Sequence, residues 1–350
     1  MQKIKTALLS YGMSGKVFHA PFLKLHSGFE LIGSWERSKK LIQEDYPEVK
    51  SFVSFESILE DTAIDLVIVN TPVATHFEYA KKALLAGKHV LVEKAFTTTL
   101  AEAQELARLS KERNLKVCVF QNRRWDSDFK TVQKIIKDQV LGDLVEAEFH
   151  FDRFNPVLSP KLHKETDNPG AGILKDLGPH IIDQALCLFG MPEAVFADIR
   201  MIRQSTVVDD YIDILLFYPD FRMRLKAGFF IREPNPGYCI HGKKGSFLKQ
   251  RGDVQEDELK LGKKPNLTNW GTEKEGYEGI LHSDIDGKII REKIPTLQGN
   301  YYDLFDQLYK SITNNQPEPV TAQDGVNVMA IIDAAIQSNE TQKVVSIYKQ

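Results

Sequence analysis

The sequence predicts an α/β protein in two parts: an N-terminal doubly wound parallel sheet, then an α+β body built on a large, mostly antiparallel sheet. Three observations carry this expectation. Short apolar runs alternate with helix-like segments as far as Phe120, the β-α-β rhythm of a parallel sheet. Beyond Trp125 that rhythm gives way to strand-like runs with few helices between them. The length, 350 residues, also exceeds what one hydrophobic core ordinarily organises.

Residues 4–9 read as a buried strand. Ser10-Tyr11-Gly12-Met13-Ser14-Gly15 then turns into a helix that begins near Gly15 and takes in Val17, Phe18 and Leu23. Strand, glycine turn and helix is the context a dinucleotide-binding loop needs. Glycine lets the backbone approach a pyrophosphate, and the helix N-terminus meets its charge. Gly12, Met13, Ser14 and Gly15 are therefore cofactor-binding candidates, although Ser10 stands where G-x-G-x-x-G has its first glycine. A second strand, 29–35, ends at Glu36-Arg37-Ser38, roughly 20 residues past the glycines, where the adenine ribose is read. Glu36 suits the free 2′-hydroxyl of NAD. Arg37 and Ser38, followed by Lys39 and Lys40, suit the 2′-phosphate of NADP. Solvated charges opening a surface helix are the third possibility.

Residues 64–70 form a third strand. Thr75-x-x-Glu78 predicts a capping box, and Gly87 a helix stop. Residues 89–93 form a fourth strand, Thr99-x-x-Glu102 caps a helix reaching about Asn114, and 115–120 form a fifth strand. Ligands of such sheets gather beyond the strand C-termini. Asn70, Thr71 and Pro72 with His76, then Glu93-Lys94 and Gln121-Asn122, fall at those ends and join the cofactor candidates. The first domain is expected over 1–122 and the second over 123–350.

In the second part a helix is expected over 129–139 and a strand over 144–152. An irregular stretch follows, carrying Pro156, Pro160, Pro169, Gly170 and Gly172. Residues 173–188 have helical spacing, with Asp176 and His180 one turn apart on one face and Asp183 beyond them. Strands are expected over 194–203, 211–218 and 223–231, with 238–245 followed by 246–249 continuing the sheet, surface loops over 262–287, and a helix over 322–338.

A composition of 42% hydrophobic and 27% charged residues argues against disorder, and a net charge of −3 offers no general attraction to nucleic acid or anionic lipid. A small-molecule partner is favoured. The apolar run near the N-terminus is too short for a signal peptide, and no run of about 18 apolar residues suggests a membrane span, so the cytoplasm is the expected location. Cys118, Cys187 and Cys239 are too far apart for a metal motif and odd in number, so each is expected as a buried reduced thiol. No ligand cluster suggests a metal.

Lys94, Asp176 and His180 supply an ammonium, a carboxylate and an imidazole, the groups that manage a hydroxyl proton while a cofactor takes a hydride. Taken singly they are unremarked: a lysine after a strand is usually solvated, and an i,i+4 pair is worth only about 0.2–0.5 kcal/mol.

Together with the glycine loop, these residues resemble the Gfo/Idh/MocA family of NAD(P)-dependent sugar and polyol oxidoreductases over nearly the whole chain. Glu93-Lys94-Ala95 matches its E-K-P motif, Asp176 and His180 its D-x-x-x-H motif, and Asn70-Thr71-Pro72 with His76 and Gln121 to Trp125 are further family-like segments. Gly12 to Pro21 and His241 to Phe247 look closest to the branch containing an NADP-dependent scyllo-inositol dehydrogenase. Ser10 and Ala95 depart from the pattern. The resemblance implies a Rossmann domain that binds NADP or NAD, NADP being favoured, and a substrate domain through which subunits pair as dimers or tetramers. It implies oxidation of a secondary alcohol of a polyol or sugar, inositol-like, to its ketone. His180 would be the acid/base, Lys94 would polarise the oxygen and Asp176 would support them. Arg153, Phe154, Asn155 and His163 are the pocket candidates. The alternatives are a carbonyl or keto-sugar reductase using the same residues, and a non-catalytic cofactor-binding regulator.

Overall fold

The computed structural model describes residues 3–36, 39–160 and 162–347, apart from the side chains of Leu162 and His163. Arg37, Ser38 and the His163 side chain thus lie outside the described residues. The chain divides into two compact units: residues 1–125 with 254–270 and 300–326, and residues 126–253 with 271–299 and 327–350.

The first unit runs β1 (Ile4–Leu8), a π-helical turn (Gly15–His19) that continues into α1 (Ala20–Leu25), β2 (Phe29–Trp35), α2 (Ile42–Asp45), β3 (Lys50–Phe52), α3 (Phe55–Glu60), β4 (Leu66–Val69), α4 (His76–Leu85), β5 (His89–Val92), α5 (Leu100–Arg113) and β6 (Val117–Val119). Its six strands lie in the order β3-β2-β1-β4-β5-β6 and every pair is parallel. The five expected strands are present. The sixth, β3, is only three residues long and lacks an apolar run of its own. β4 and the apolar residues of β5 are buried throughout, as a sheet covered on both faces requires. The capping box at Thr99 and Glu102 forms in full. The one expected at Thr75 does not. A short 3₁₀ turn (Val73–Thr75) already holds Thr75 in helical geometry, so its hydroxyl donates to the Pro72 carbonyl, and Glu78 pairs with Lys82 instead.

The second unit contains α6 (Ser127–Lys137), β7 (Leu144–His150), α7 (Leu162–Glu165), α8 (Ile173–Asp176), α9 (Gly178–Phe189), β8 (Ala194–Arg200), β9 (Tyr211–Phe217), β10 (Arg222–Gly228), β11 (Tyr238–Gly242) and β12 (Gly245–Lys249). After α10 (Gln255–Lys260), in the first unit, come β13 (Gly279–Ile285) and β14 (Lys288–Ile294). α11 (Tyr302–Asn314) again belongs to the first unit, and α12 (Ala322–Thr341) and β15 (Val345–Ser346) complete the chain. The nine strands are ordered β14-β13-β12-β11-β7-β10-β9-β8-β15, antiparallel except for β7 with β10.

Two-residue alternation gives this sheet a buried face, with Ala147, Phe149, Ile214, Leu216, Met223, Leu225, Tyr238 and Ile240. On the other face the register aligns Phe196, Leu215, Arg224, Glu148, Cys239, Leu248 and Ile280 in one cross-strand row, none of them fully buried.

Three further expectations are corrected. Residues 262–287 are not all loop: 279–285 alternate as β13, and Asp286 and Gly287, both at positive φ, make the tight turn into β14. Asp176 and His180 lie on two separate helices, α8 and α9, broken at Leu177, because Pro179 has no N–H to offer the Lys175 carbonyl. Cys118 is buried, its thiol pushed up to about 12 by burial, but Cys187 is exposed and Cys239 half-buried. Among the described residues, no helix is long and apolar enough to cross a membrane.

Candidate functional site

In the first unit the C-terminal ends of β1, β2 and β4 border a cavity of about 470 Å³. Of the expected cofactor residues, Gly12, Glu36, Thr71 and Pro72 line it. Ser10, Tyr11, Trp35, Lys39, Thr75 and Tyr79 complete much of the wall. Trp35 and Tyr79 meet edge to face, with ring centroids 5.7 Å apart. Neither was legible as a wall residue. Trp35 directly precedes Glu36, and Tyr79 lies one turn beyond His76, so proximity to those residues was the available signal.

The glycine loop is held by side chains. Asn70 Oδ1 accepts the N–H groups of Leu9 and Ser10 at 3.1 and 3.0 Å, and its Nδ2 donates to the Ser10 carbonyl at 2.7 Å. Asn70 therefore braces the loop with both ends of its amide. Ser10 Oγ accepts the Gly12 N–H at 3.1 Å, a bond that a glycine at position 10 could not make. A β-carbon on Gly12 would meet only that oxygen, at 3.4 Å, so its outer side is open to a ligand. On Gly15 it would lie 2.3 Å from the Ser10 carbonyl oxygen. Gly12 thus leaves space beside the loop, whereas Gly15 permits the close helix–strand packing. The N–H groups of residues 13–15 precede the first helical bond, from Lys16 to Gly12, and are available to an anion. These features fit a dinucleotide pyrophosphate.

Glu36 is already engaged: its two oxygens accept the Leu41 and Ile42 N–H groups at 2.9 and 3.2 Å, capping α2. His76 is buried, with Nδ1 2.8 Å from the Ala95 carbonyl and Nε2 2.9 Å from that of Thr71. It ties together the segments after β4 and β5. Burial holds its pKa down despite those carbonyls, so the neutral ring donates to one of them. Lys94 follows directly on Glu93 beyond β5, and the Lys94–Ala95 peptide is cis. Burial works against ionised Glu93. Hydrogen bonds from His19 and Ser14, with the Lys94 charge, nevertheless hold its carboxyl below the usual range. Gln121 and Asn122 are buried beyond β6, while Met13 is exposed.

In the second unit Asp176 ends α8, and its carboxylate accepts from Lys164 Nζ at 2.7 Å. His180 is buried in the first turn of α9, its ring 6.3 Å from that of Phe151. Two guanidinium groups also face Phe151: Arg153 at 5.3 Å and Arg251 at 4.4 Å. Arg251 donates to the His150 carbonyl at 2.6 Å, to Tyr238 Oη at 2.8 Å and to Gln184 at 3.3 Å, four residues beyond His180. Arg251 was missed, since nothing local marks a residue whose partners, His150, Tyr238 and Gln184, are distant in sequence. Phe154 and Asn155 are exposed, and Arg232 stacks on Phe154 at 3.8 Å. Asp183 is buried.

The start of α8 is fixed by Asp209. Its carboxylate accepts the Leu174 N–H at 2.6 Å and its carbonyl the Ile173 N–H at 2.8 Å. Gly172, at φ 90°, leaves room for that carboxylate, which a β-carbon would meet at 2.1 Å. Burial pushes the Asp209 carboxyl up, and the Leu174 N–H opposes this. Next to it Asp210 holds Arg203 at 2.9 Å, and Arg203 grips Glu165 of α7 at 2.9 and 3.0 Å. All three are largely buried, so neighbouring aspartates anchor both α8 and the helix that carries Lys164.

Comparison with known proteins decides the family. The model of an oxidoreductase family, NAD-binding Rossmann fold, matches residues 4–121, and that of its C-terminal alpha/beta domain matches residues 133–347. The chain belongs to the Gfo/Idh/MocA oxidoreductase family. Among its relatives in that family is the scyllo-inositol 2-dehydrogenase (NADP(+)) IolW of Bacillus subtilis, 36% identical over 98% of this chain and 96% of that protein. The oxidoreductase YdgJ of Escherichia coli is 36% identical over 96% of each chain. A solved oxidoreductase from Bacteroides fragilis superposes with a TM-score of 0.91 at 44% identity, covering 99% of this chain and 100% of that one. This member of the Gfo/Idh/MocA family is therefore an oxidoreductase with an NAD-binding Rossmann domain.

Proposed function

We propose that the chain interconverts a secondary alcohol of a polyol or sugar, inositol-like, with its ketone, using NADP in preference to NAD. The observation that carries this reading is the braced glycine loop opening onto the cavity beside Glu36, Thr71 and Pro72. The 36% identity to a scyllo-inositol 2-dehydrogenase (NADP(+)) over nearly the full length of both chains supports the substrate class and the choice of NADP. The bonds from Glu36 to Leu41 and Ile42 favour it as a helix cap, leaving Lys39 as a described cation on the pocket wall near the ribose position.

The bound nicotinamide would supply the hydride-accepting carbon. Backbone N–H groups of Met13, Ser14 and Gly15 would meet the pyrophosphate. The Ser14 hydroxyl would not, since its one proton goes to Glu93. His180 accepts the hydroxyl proton and returns it in the reverse direction, a role worth about 10²–10⁴-fold. Lys94 donates to the same oxygen and stabilises its developing negative charge. Asp176 orients a neighbouring hydroxyl, its own position set by Lys164.

The half-exposed row from Phe196 to Ile280 supports pairing of subunits through the nine-stranded sheet.

The test is absorbance at 340 nm with NAD⁺ or NADP⁺ against inositols, aldoses and other polyols. Reduction of NADP⁺ by an inositol is expected, with turnover falling at least about 10²-fold in His180→Ala. Silence across the panel despite tight dinucleotide binding would overturn the dehydrogenase reading in favour of a regulator.

A further inference from the structure

The side chains of Ser14, His19 and Glu93 form a cluster in the first unit to which the proposed chemistry gives no part. The His19 ring is wholly buried, packed on Phe120 with centroids 4.4 Å apart and on Phe305 at 6.2 Å. Its Nε2 lies 2.9 Å from Glu93 Oε1, and its Nδ1 is buried without a hydrogen-bond partner. A carboxylate only accepts, so Nε2 carries the proton. Nδ1 is then left buried with its desolvation uncompensated. A phenylalanine would pack there without that cost, so the site is built around the bond to Glu93. The Ser14 hydroxyl donates to the same oxygen, and the Lys94 N–H reaches the other oxygen at 3.3 Å.

Helix geometry explains how one carboxylate collects both donors. Five residues along an ideal α-helix, side chains point about 140° apart. The π-helical turn over Gly15–His19, where the Ala20 N–H bonds to Gly15, brings residues five apart towards one face. Ser14 and His19 consequently meet Glu93 together.

We propose that His19 is a positioning residue that fixes the Glu93 carboxylate, so that one side chain ties the glycine loop, through Ser14, to the segment carrying Lys94. The inference rests on the reading of that loop as the nucleotide site and of Lys94 as the oxygen-polarising group. The charged and titratable groups facing Glu93 are His19 from the π turn, Lys94 from its own segment and, at longer range, His76 from α4. Without His19, burial acts on Glu93 with less opposition, and the carboxyl takes up a proton at a higher pH. A neutral acid no longer anchors Ser14 as an acceptor of full charge, and the loop loosens.

The experiment is fluorescence titration of NADPH and NADH from pH 5.5 to 8.5 on the full-length protein, its His19→Phe and His19→Gln variants, and Ser14→Ala, with melting curves over the same range. For His19→Phe we expect a Kd at least tenfold weaker at pH 6 than at pH 8, against a flat wild-type profile. His19→Gln, whose amide can donate to Glu93, should restore the flat profile. Melting should show the opposite sign. A carboxyl with a raised folded-state pKa favours the folded protein at low pH, so the His19→Phe deficit should widen as pH rises. A His19→Phe variant with wild-type Kd and a flat profile would overturn the proposal. Should that variant not fold, Ser14→Ala decides: a several-fold weaker Kd is expected, and a wild-type value overturns it. If the wild type binds neither dinucleotide, the nucleotide-site reading fails instead, and the melting profiles still decide His19.

Discussion

A β-carbon at Gly15 would lie 2.3 Å from the Ser10 carbonyl oxygen and 3.0 Å from Asn70 Nδ2. Neither neighbour is a flexible tip: one is backbone, and the other is pinned by three hydrogen bonds. Gly15→Ala should therefore push the helix away from β1, at a cost of about 1–3 kcal/mol as in other overpacked cores. Thermal denaturation should register the loss, and dinucleotide titration should show affinity falling at least about tenfold. Unchanged affinity would mean that the loop tolerates a shifted helix. At this scale the sequence was informative wherever a residue acts on its chain neighbours. Gly12 and Gly15 could be read from their place between strand and helix, whereas Lys94 stood out only through the Glu93-Lys94-Ala95 motif. Arg251, Asp209 and His19 could not, because each acts on a partner distant in sequence: Gln184, Leu174 and Glu93.

Helix α8 is only four residues long, so its direction depends on what holds its first turn. Asp209 supplies that hold, and Gly172 makes room for it. Asp209→Ala should cost about 0.5–2 kcal/mol of stability, the usual range for losing a side-chain cap. It should also lower kcat more than it raises KM, since Asp176 and His180 ride on this turn and its continuation in α9. Asp209→Asn keeps an acceptor for the Leu174 N–H and should recover most of both. Equal loss in the two variants would point to the charge of Asp209 rather than its cap. Elements were legible where periodicity and local chemistry agree, as in β4, β5 and α5. They were missed where a backbone detail overrides the pattern. Pro179 breaks what reads as one helix, a 3₁₀ turn occupies the place of the Thr75 cap, and Asp286-Gly287 sits inside a stretch whose charges read as loop.

At the scale of the molecule, the parallel sheet and the larger antiparallel one follow from the change in rhythm after Trp125. The path of the chain between the units does not, because no local signal marks a return. The first unit is left at residue 125, re-entered over 254–270 and again over 300–326. Those returns contribute to its sheet and loops. Thr321 bridges Cys118, the Val119 N–H bonds to the Val320 carbonyl at 3.1 Å, and the Trp125 carbonyl accepts from Gln255 at 3.2 Å and Asn300 at 3.1 Å. A fragment of residues 1–125 should accordingly lack a cooperative melting transition by circular dichroism, while the full chain shows one. A sharp transition in the fragment would mean that the later segments only decorate a finished domain.

The same path sets a schedule for synthesis. The edge of β6 waits for its partner at 320–321 through about 200 further residues of translation, roughly 10–40 s at ~5–20 residues per second. Throughout that interval a ribosome-bound chain lacks the segments that complete its first unit, so the newborn polypeptide, rather than the mature enzyme, is the form that leaves the apolar strands of that unit unfinished.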